Sequence, residues 1–230
     1  MFERFANANL TVNLAKCEFA KATVTYIGKV VGQGHVRPVH AKVTAVEEFP
    51  VPTTKKELMR FLGLVGYYRC FCRNFSTVVA SLTDLLKIKS KYIWSTSCQQ
   101  AFTVGKTLLC SAPVLLAPRL DQPLTLHVDA SHVGAGAVLL QADGKGIEHP
   151  VSFYSKKFNA YQLNYSVIEK EALALVLALQ HFNVYLDSGM PIVVFTDHNP
   201  LTFLNSLQNP NQRLMRWAVF AAVQPRHPSY

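Results

Sequence analysis

The sequence predicts an α/β protein in which a helix-rich first half leads into a sheet domain. Three observations carry this. Apolar residues at three- and four-residue spacing dominate between Val39 and Leu109. Pro113, Pro118 and Pro123 then punctuate an extended segment, the best candidate for a domain boundary. Beyond it the order becomes strand, strand, strand, helix, strand, helix, with period-two alternation in the first strand.

The elements follow in order. Ala22–Ile27 is β-branched and aromatic and reads as a strand, with a turn at Gly32-Gln33-Gly34 before Val36. A helix over Ala41–Phe49 ends at Pro50, because the residue before a proline resists the α region. Thr53 or Thr54 caps the next helix, with Glu57 completing a capping box. Leu58, Phe61, Leu62 and Val65 form its buried stripe. Ser81–Lys87 and Ser97–Leu109 read as two further helices. In the second half, Leu124–Asp129, Ala135–Gln141 and His149–Ser155 read as strands, the last two joined by a hairpin at Ala142–Gly146. Tyr165–Tyr185 reads as a long helix and Ile192–Thr196 as an apolar strand.

Composition narrows the function classes. The chain has 230 residues, half of them hydrophobic and a sixth charged, so it can bury a core. A net charge of +9 suits a polyanionic partner. The five cysteines include no C-x-x-C pair, which argues against a zinc ribbon and fits reduced thiols in an intracellular protein, in cytoplasm or nucleus. The N-terminus carries charges where a signal peptide needs an apolar core. The longest apolar run, Ala172–Leu179, is far short of the ~20 residues that span a bilayer, so no membrane partner is expected.

Three carboxylates stand out by position. Asp129 and Asp197 each end a predicted strand, where open α/β sheets place their functional crevices. Glu171 lies at the edge of the helix stripe formed by Ala174, Leu175, Ala178, Leu179 and Phe182. Converging acids without basic partners are tolerable around a divalent cation, and two such ions can activate water on a phosphodiester. An aspartate after a strand also serves as a turn former or helix cap, and a helix glutamate can be merely solvated.

The local words decide between these readings by resemblance. Val128-Asp129-Ala130-Ser131, Gly134–Gln141, Asn164–Ala174 and Phe195-Thr196-Asp197-His198-Asn199-Pro200-Leu201 resemble the RNase H domain of reverse-transcribing elements. Asn13–Phe19 and Phe61–Arg69 are similar to the end of the palm and the thumb of gypsy-class LTR retrotransposon reverse transcriptases. Trp94–Phe102 and Ser111–Leu115 look like the connecting region. The resemblance implies a palm remnant over 1–38, thumb helices and connection over 39–120, and an RNase H-like mixed-sheet domain over 121–230. It also implies a Pol polyprotein fragment whose family activity is cleavage of RNA in RNA–DNA hybrids. Asp129, Glu171 and Asp197 match the catalytic, metal-holding acids, with two Mg²⁺ ions expected and Mn²⁺ possible. Lys55, Lys56, Arg60, Tyr67, Tyr68, Arg69 and Arg73 are the expected nucleic-acid contacts, with Lys55, Lys56 and Arg60 on one exposed basic face and the two tyrosines either at the sugar edge or in the core.

Against that pattern, the polymerase's Tyr-x-Asp-Asp motif does not occur in the chain and no acid follows Asp197. The expectation is a domain lacking its last strand and helix, with Ile192, Val194 and nearby residues left on an unprotected edge or face. The alternative function is a non-catalytic nucleic-acid-binding remnant or a pseudogene product.

Overall fold

The computed structural model describes residues 2–88, 90–186, 190 and 192–196. The chain begins with a short helix α1 (Phe2–Asn7) and a 3-10 turn at Leu14–Lys16. Strands β1 (Thr23–Tyr26), β2 (Lys29–Gly32) and β3 (His35–Pro38) form an antiparallel meander. Two hairpins stand where the sequence suggested one turn. Ile27 and Gly28 both have positive φ (44° and 71°), as do Gln33 and Gly34 (53° and 74°), the backbone that two-residue primed turns require. A β-branched residue at positive φ is strained, which hid the first turn from a propensity reading. Two tyrosines hold it: the Tyr67 hydroxyl donates to Ile27 O, and the Tyr68 hydroxyl to Gly28 O at 2.9 Å.

The helical part comprises α2 (His40–Glu47), α3 (Lys55–Tyr67), a 3-10 turn at Arg69–Phe71, α4 (Phe75–Val78), α5 (Ala80–Leu85) and α6 (Thr96–Cys110). Thr54 caps α3 by accepting from the Glu57 N–H, while the Glu57 carboxylate accepts from the Thr53 N–H and hydroxyl. Both threonines are therefore used. The predicted stripe is the core: Leu58, Phe61 and Val65 are fully buried and Leu62 is half-buried against them. Phe61 packs between Phe49 and Phe102, with ring centroids 5.4 and 4.6 Å away. The Lys106 ammonium donates to Glu47 O and Phe49 O, closing the C-terminal end of α2.

The proline-rich segment does not simply separate two halves. Its strand β4 (Leu115–Leu116) pairs with β3 and completes a four-stranded first sheet. A second four-stranded sheet follows, built from β5 (Leu124–Ala130), β6 (Gly134–Ala142), β7 (Glu148–Lys157) and β8 (Ile192–Thr196) in the order β7-β6-β5-β8. Its first three strands are antiparallel neighbours, and β8 joins β5 in parallel. The sheet is mixed, and α7 (Val167–Leu186) covers one of its faces. Leu124, Leu126 and Val128 meet Ala174, Ala178 and Phe182 there, a second buried cluster. Ile192 and Val194 pack partly against this cluster, and the exposed residues of β8 are their neighbours Val193 and Phe195.

The helical part seats on the other face of this sheet. The Ser76 N–H donates to Ser155 Oγ and the Ser76 hydroxyl donates to Ser155 O, each at 2.9 Å. Lys157 donates to Asp84 Oδ2 at 2.7 Å and to Ala80 O. Phe153 packs into the helical core. All five cysteines are free thiols, and burial pushes the Cys72 thiol up to about 12. No helix among the described residues is long and apolar enough to cross a membrane.

Two consequences are measurable. Gln141 is buried, and its amide both donates to Arg119 O and accepts from the Arg119 N–H, each at 2.8 Å. Gln141→Leu strands both backbone groups and should cost about 2 kcal/mol, lowering the thermal midpoint by roughly 4–8 °C. Where α7 meets β7, His181 stacks on Tyr154, centroids 4.4 Å apart. Burial first, and the Arg69 charge second, hold its pKa below the ordinary histidine value. The unfolded chain therefore takes up this proton first as pH falls through about 6.5. The stabilisation is complete above that pH and is lost below it, down towards the folded pKa. The carboxylates with lowered pKa values, Glu57, Asp84 and Asp143, act only in the acid range below this window. Thermal unfolding between about pH 7.5 and about pH 5.5 should show a falling midpoint, and His181→Phe should flatten that fall.

Candidate nucleic-acid cleft

Strand direction puts Asp129 and the first turns of α7 at one end of the sheet. β5, β7 and β8 run the same way, so the C-terminal ends of β5 and β8 lie where β7 ends. The chain passes from that end of β7 into α7, which places the first turns of α7 there as well. Asp129 near the end of β5 and Glu171 early in α7 thus share the carboxyl end of the sheet, where α/β sheets hold ligands. Asp197, the third expected acid, lies outside the described residues.

Which helix acid is available follows from the cap. Ser166 is the N-cap of a capping box: the Glu169 carboxylate accepts from the Ser166 N–H at 2.9 Å and from its hydroxyl at 3.1 Å, and the Glu169 N–H donates to Ser166 Oγ. Glu169 is committed to starting the helix. Glu171 is buried at 4% exposure on the sheet-facing side.

Alternation places Asp129 outward. Val128 faces α7, so His127 and Asp129 point to the opposite face. Pairing sets two rows across that face: Asp129 beside Gly136 and Gly136 beside Ser155, then Phe195, His127, Val138 and Phe153. The helical part covers the β7 and β6 side of both rows. A Cβ added to Gly136 would lie 2.5 Å from Asn74 Oδ1, so the missing side chain lets the Asn74 amide sit on the strand. Asn74 itself adopts the left-handed region, φ 52°, a conformation asparagine tolerates. The β5 and β8 side stays open as a cavity of about 320 Å³, lined by Arg73, Asn74, His127, Asp129 and Phe195 among others. His127 and Phe195 lie with ring centroids 4.9 Å apart.

The seven expected nucleic-acid contacts divide. Lys56, Arg60, Arg69 and Arg73 are exposed. Lys55 departs from the expected open face: it is half-buried, and its ammonium donates to Lys87 O and Ser90 O. Tyr68 is core at 2% exposure, and Tyr67, although 46% exposed, spends its hydroxyl on the first hairpin. The sequence reading missed Asn74, Gly136 and His127. An Arg-Asn step before a helix carries a turn signal, but nothing in it points to a glycine in a distant strand.

The carboxylates suit a hard cation in donor type. Among the described residues, no ion pair engages Asp129, and no group of three His, Cys, Asp or Glu side chains stands close enough to hold a metal.

Residues 119–222 match the family model of the RNase H-like domain found in reverse transcriptase. The chain is 39% identical over 220 residues to the retrovirus-related Pol polyprotein from transposon 297 of Drosophila melanogaster, covering 95% of this chain and 20% of that protein. The Pol polyprotein from transposon opus of the same fly is 38% identical over 223 residues, covering 92% and 22%. The transposon Tf2-3 polyprotein of Schizosaccharomyces pombe is 37% identical over 223 residues, covering 96% and 17%. The chain thus spans about a fifth of the length of these relatives. Its fold is that of the foamy viral protease-reverse transcriptase dRH solved with double-stranded DNA, TM-score 0.79 at 21% identity, over 98% of this chain and 40% of that one. The foamy viral protease-reverse transcriptase solved with RNA/DNA hybrid gives 0.74 at 22% identity, over 93% and 30%. Residues 119–222 therefore belong to the RNase H-like domain family of reverse transcriptases, in a chain whose homologues are retrotransposon Pol polyproteins of the gypsy type.

Proposed function

We propose that this chain binds RNA–DNA hybrid along the cleft between its helical part and its second sheet, and that it cleaves the RNA strand as part of a Pol polyprotein. The observation that carries the reading is Asp129: it faces an open cavity without an ion pair among the described residues, at the same sheet end as the buried Glu171. Asp129, Glu171 and Asp197 would hold Mg²⁺, or Mn²⁺ in its place, which when bound lowers the pKa of water and stabilises charge on the leaving oxygen. The residues' own part is to fix carboxylate oxygens at the carboxyl end of the sheet, Asp129 from its outer face and Glu171 from the helix. Enclosure of Glu171 keeps one of those oxygens out of bulk water. Exposed Lys56, Arg60, Arg69 and Arg73 supply positive charge for phosphate backbones. The foamy viral proteins of this fold were solved with double-stranded DNA and with RNA/DNA hybrid, which supports a duplex partner at the level of fold. The free thiols suit an intracellular setting.

A second reading, binding without cleavage, rests on the exposed positive side chains Lys56, Arg60, Arg69 and Arg73, whose attraction to phosphates needs no metal. One assay separates the two. A labelled RNA–DNA hybrid is incubated with the chain and Mg²⁺ or Mn²⁺, with Asp129→Asn and Glu171→Gln in parallel. The catalytic reading expects cleavage that falls about 100-fold or more in either variant, equivalent to ~2.7 kcal/mol of transition-state stabilisation. Hybrid bound but left intact establishes the second reading, and a chain that does not bind hybrid refutes both.

A further inference from the structure

The cavity beside Asp129 is not made by the sheet domain alone. Arg73 and Asn74 come from the helical part, about fifty residues earlier in the chain, and line the same cavity as His127 and Asp129. Their place is set at two points of the outer face. Asn74 Oδ1 rests where a Cβ of Gly136 would be, and Ser76 is tied to Ser155 by two hydrogen bonds of 2.9 Å. Gly136 and Ser155 are paired neighbours in the row that begins at Asp129. Arg73 is exposed, and no ion pair joins it to Asp129 or to any other carboxylate among the described residues.

A guanidinium and a carboxylate that share a cavity yet do not neutralise each other leave both charges for a ligand. A phosphodiester fits the first, because guanidinium donors match phosphate oxygens in a planar fork. We propose that the cleft is composite: Arg73, delivered by the helical part, clamps a backbone phosphate of the bound duplex in the cavity it shares with Asp129. This rests on the hybrid-binding reading above. In this arrangement Arg73 is a positioning residue. It sets where the backbone crosses the acids, and the seating of Asn74 on Gly136 sets where Arg73 stands. The His127 and Phe195 rings, centroids 4.9 Å apart, line the same cavity.

The test is metal-free binding of a fluorescein-labelled RNA–DNA hybrid to the full chain in EDTA, followed by anisotropy from about 50 to about 200 mM salt. Arg73→Gln keeps the side-chain stem and removes the charge. It should weaken binding about fivefold or more at low salt and reduce the salt slope by about one. Arg73→Lys should keep the slope while losing part of the affinity, because the charge remains and the fork does not. Asp129→Asn removes a negative charge beside the phosphate and should tighten metal-free binding about threefold. Combined with Arg73→Gln, it should depart from additivity by about threefold, since both act on one phosphate. A chain that binds hybrid with an unchanged slope in Arg73→Gln, or with strictly additive effects in the double variant, overturns the composite cleft and leaves the hybrid-binding reading standing. A chain with no salt-sensitive hybrid binding overturns that reading itself.

Discussion

The seating of the Arg73–Ser76 corner on the outer face of the second sheet is the contact on which the rest of the arrangement depends. It works because Gly136 has no side chain: the Asn74 amide occupies that space, close enough that a Cβ would stand 2.5 Å from its oxygen. One step along the row, Ser76 and Ser155 exchange hydrogen bonds between side chain and backbone. Lys157 fixes the far side by bonding Asp84. These contacts are short and polar at a seam that is otherwise apolar, so they set register more than they add stability. A shift of one residue along β6 would turn Gly136 to the other face and carry a larger side chain into the Asn74 position.

From that seating follows the division of the sheet's outer face. Among the described residues, helices cover β7 and β6, while β5 and β8 line a cavity where the two strands run parallel. The cavity lies at the carboxyl ends of those strands, beside Asp129. Opposite it, α7 seals the inner face with small and large apolar residues in turn, Ala174 and Ala178 at the strands and Phe182 deeper along the helix. Packing of Leu124, Leu126 and Val128 on the inner face fixes β5, and alternation along β5 turns Asp129 to the outer face.

The first sheet plays a different part. Its first hairpin carries strain at Ile27, relieved by hydroxyls from two consecutive tyrosines at the end of α3. Those tyrosines are thereby withdrawn from the surface role that their position after a basic helix suggested. Lys55 is withdrawn in the same way, because the carbonyls at Lys87 and Ser90 lie within reach of its ammonium. The positive surface that remains, at Lys56, Arg60, Arg69 and Arg73, runs from the exposed side of α3 to the corner that meets the sheet.

Much of this was legible from residues alone. The Leu58–Val65 stripe, the threonine caps of α3, the alternation through Leu124–Asp129 and the apolar Ile192–Thr196 run are local patterns, and local sterics and burial enforce them wherever the chain goes. The words around Asp129 and Glu171 pointed to the same end of a sheet for the same reason, since strand ends and helix stripes are written in short windows. What tertiary structure alone decided is which groups face one another across long separations. Gly136 as a seat for Asn74, Tyr68 as core and Lys55 as a backbone tie each depend on where a distant partner stands. Spacing in sequence cannot report those partners, because packing and hydrogen-bond satisfaction are settled only when the helical part and the sheet meet.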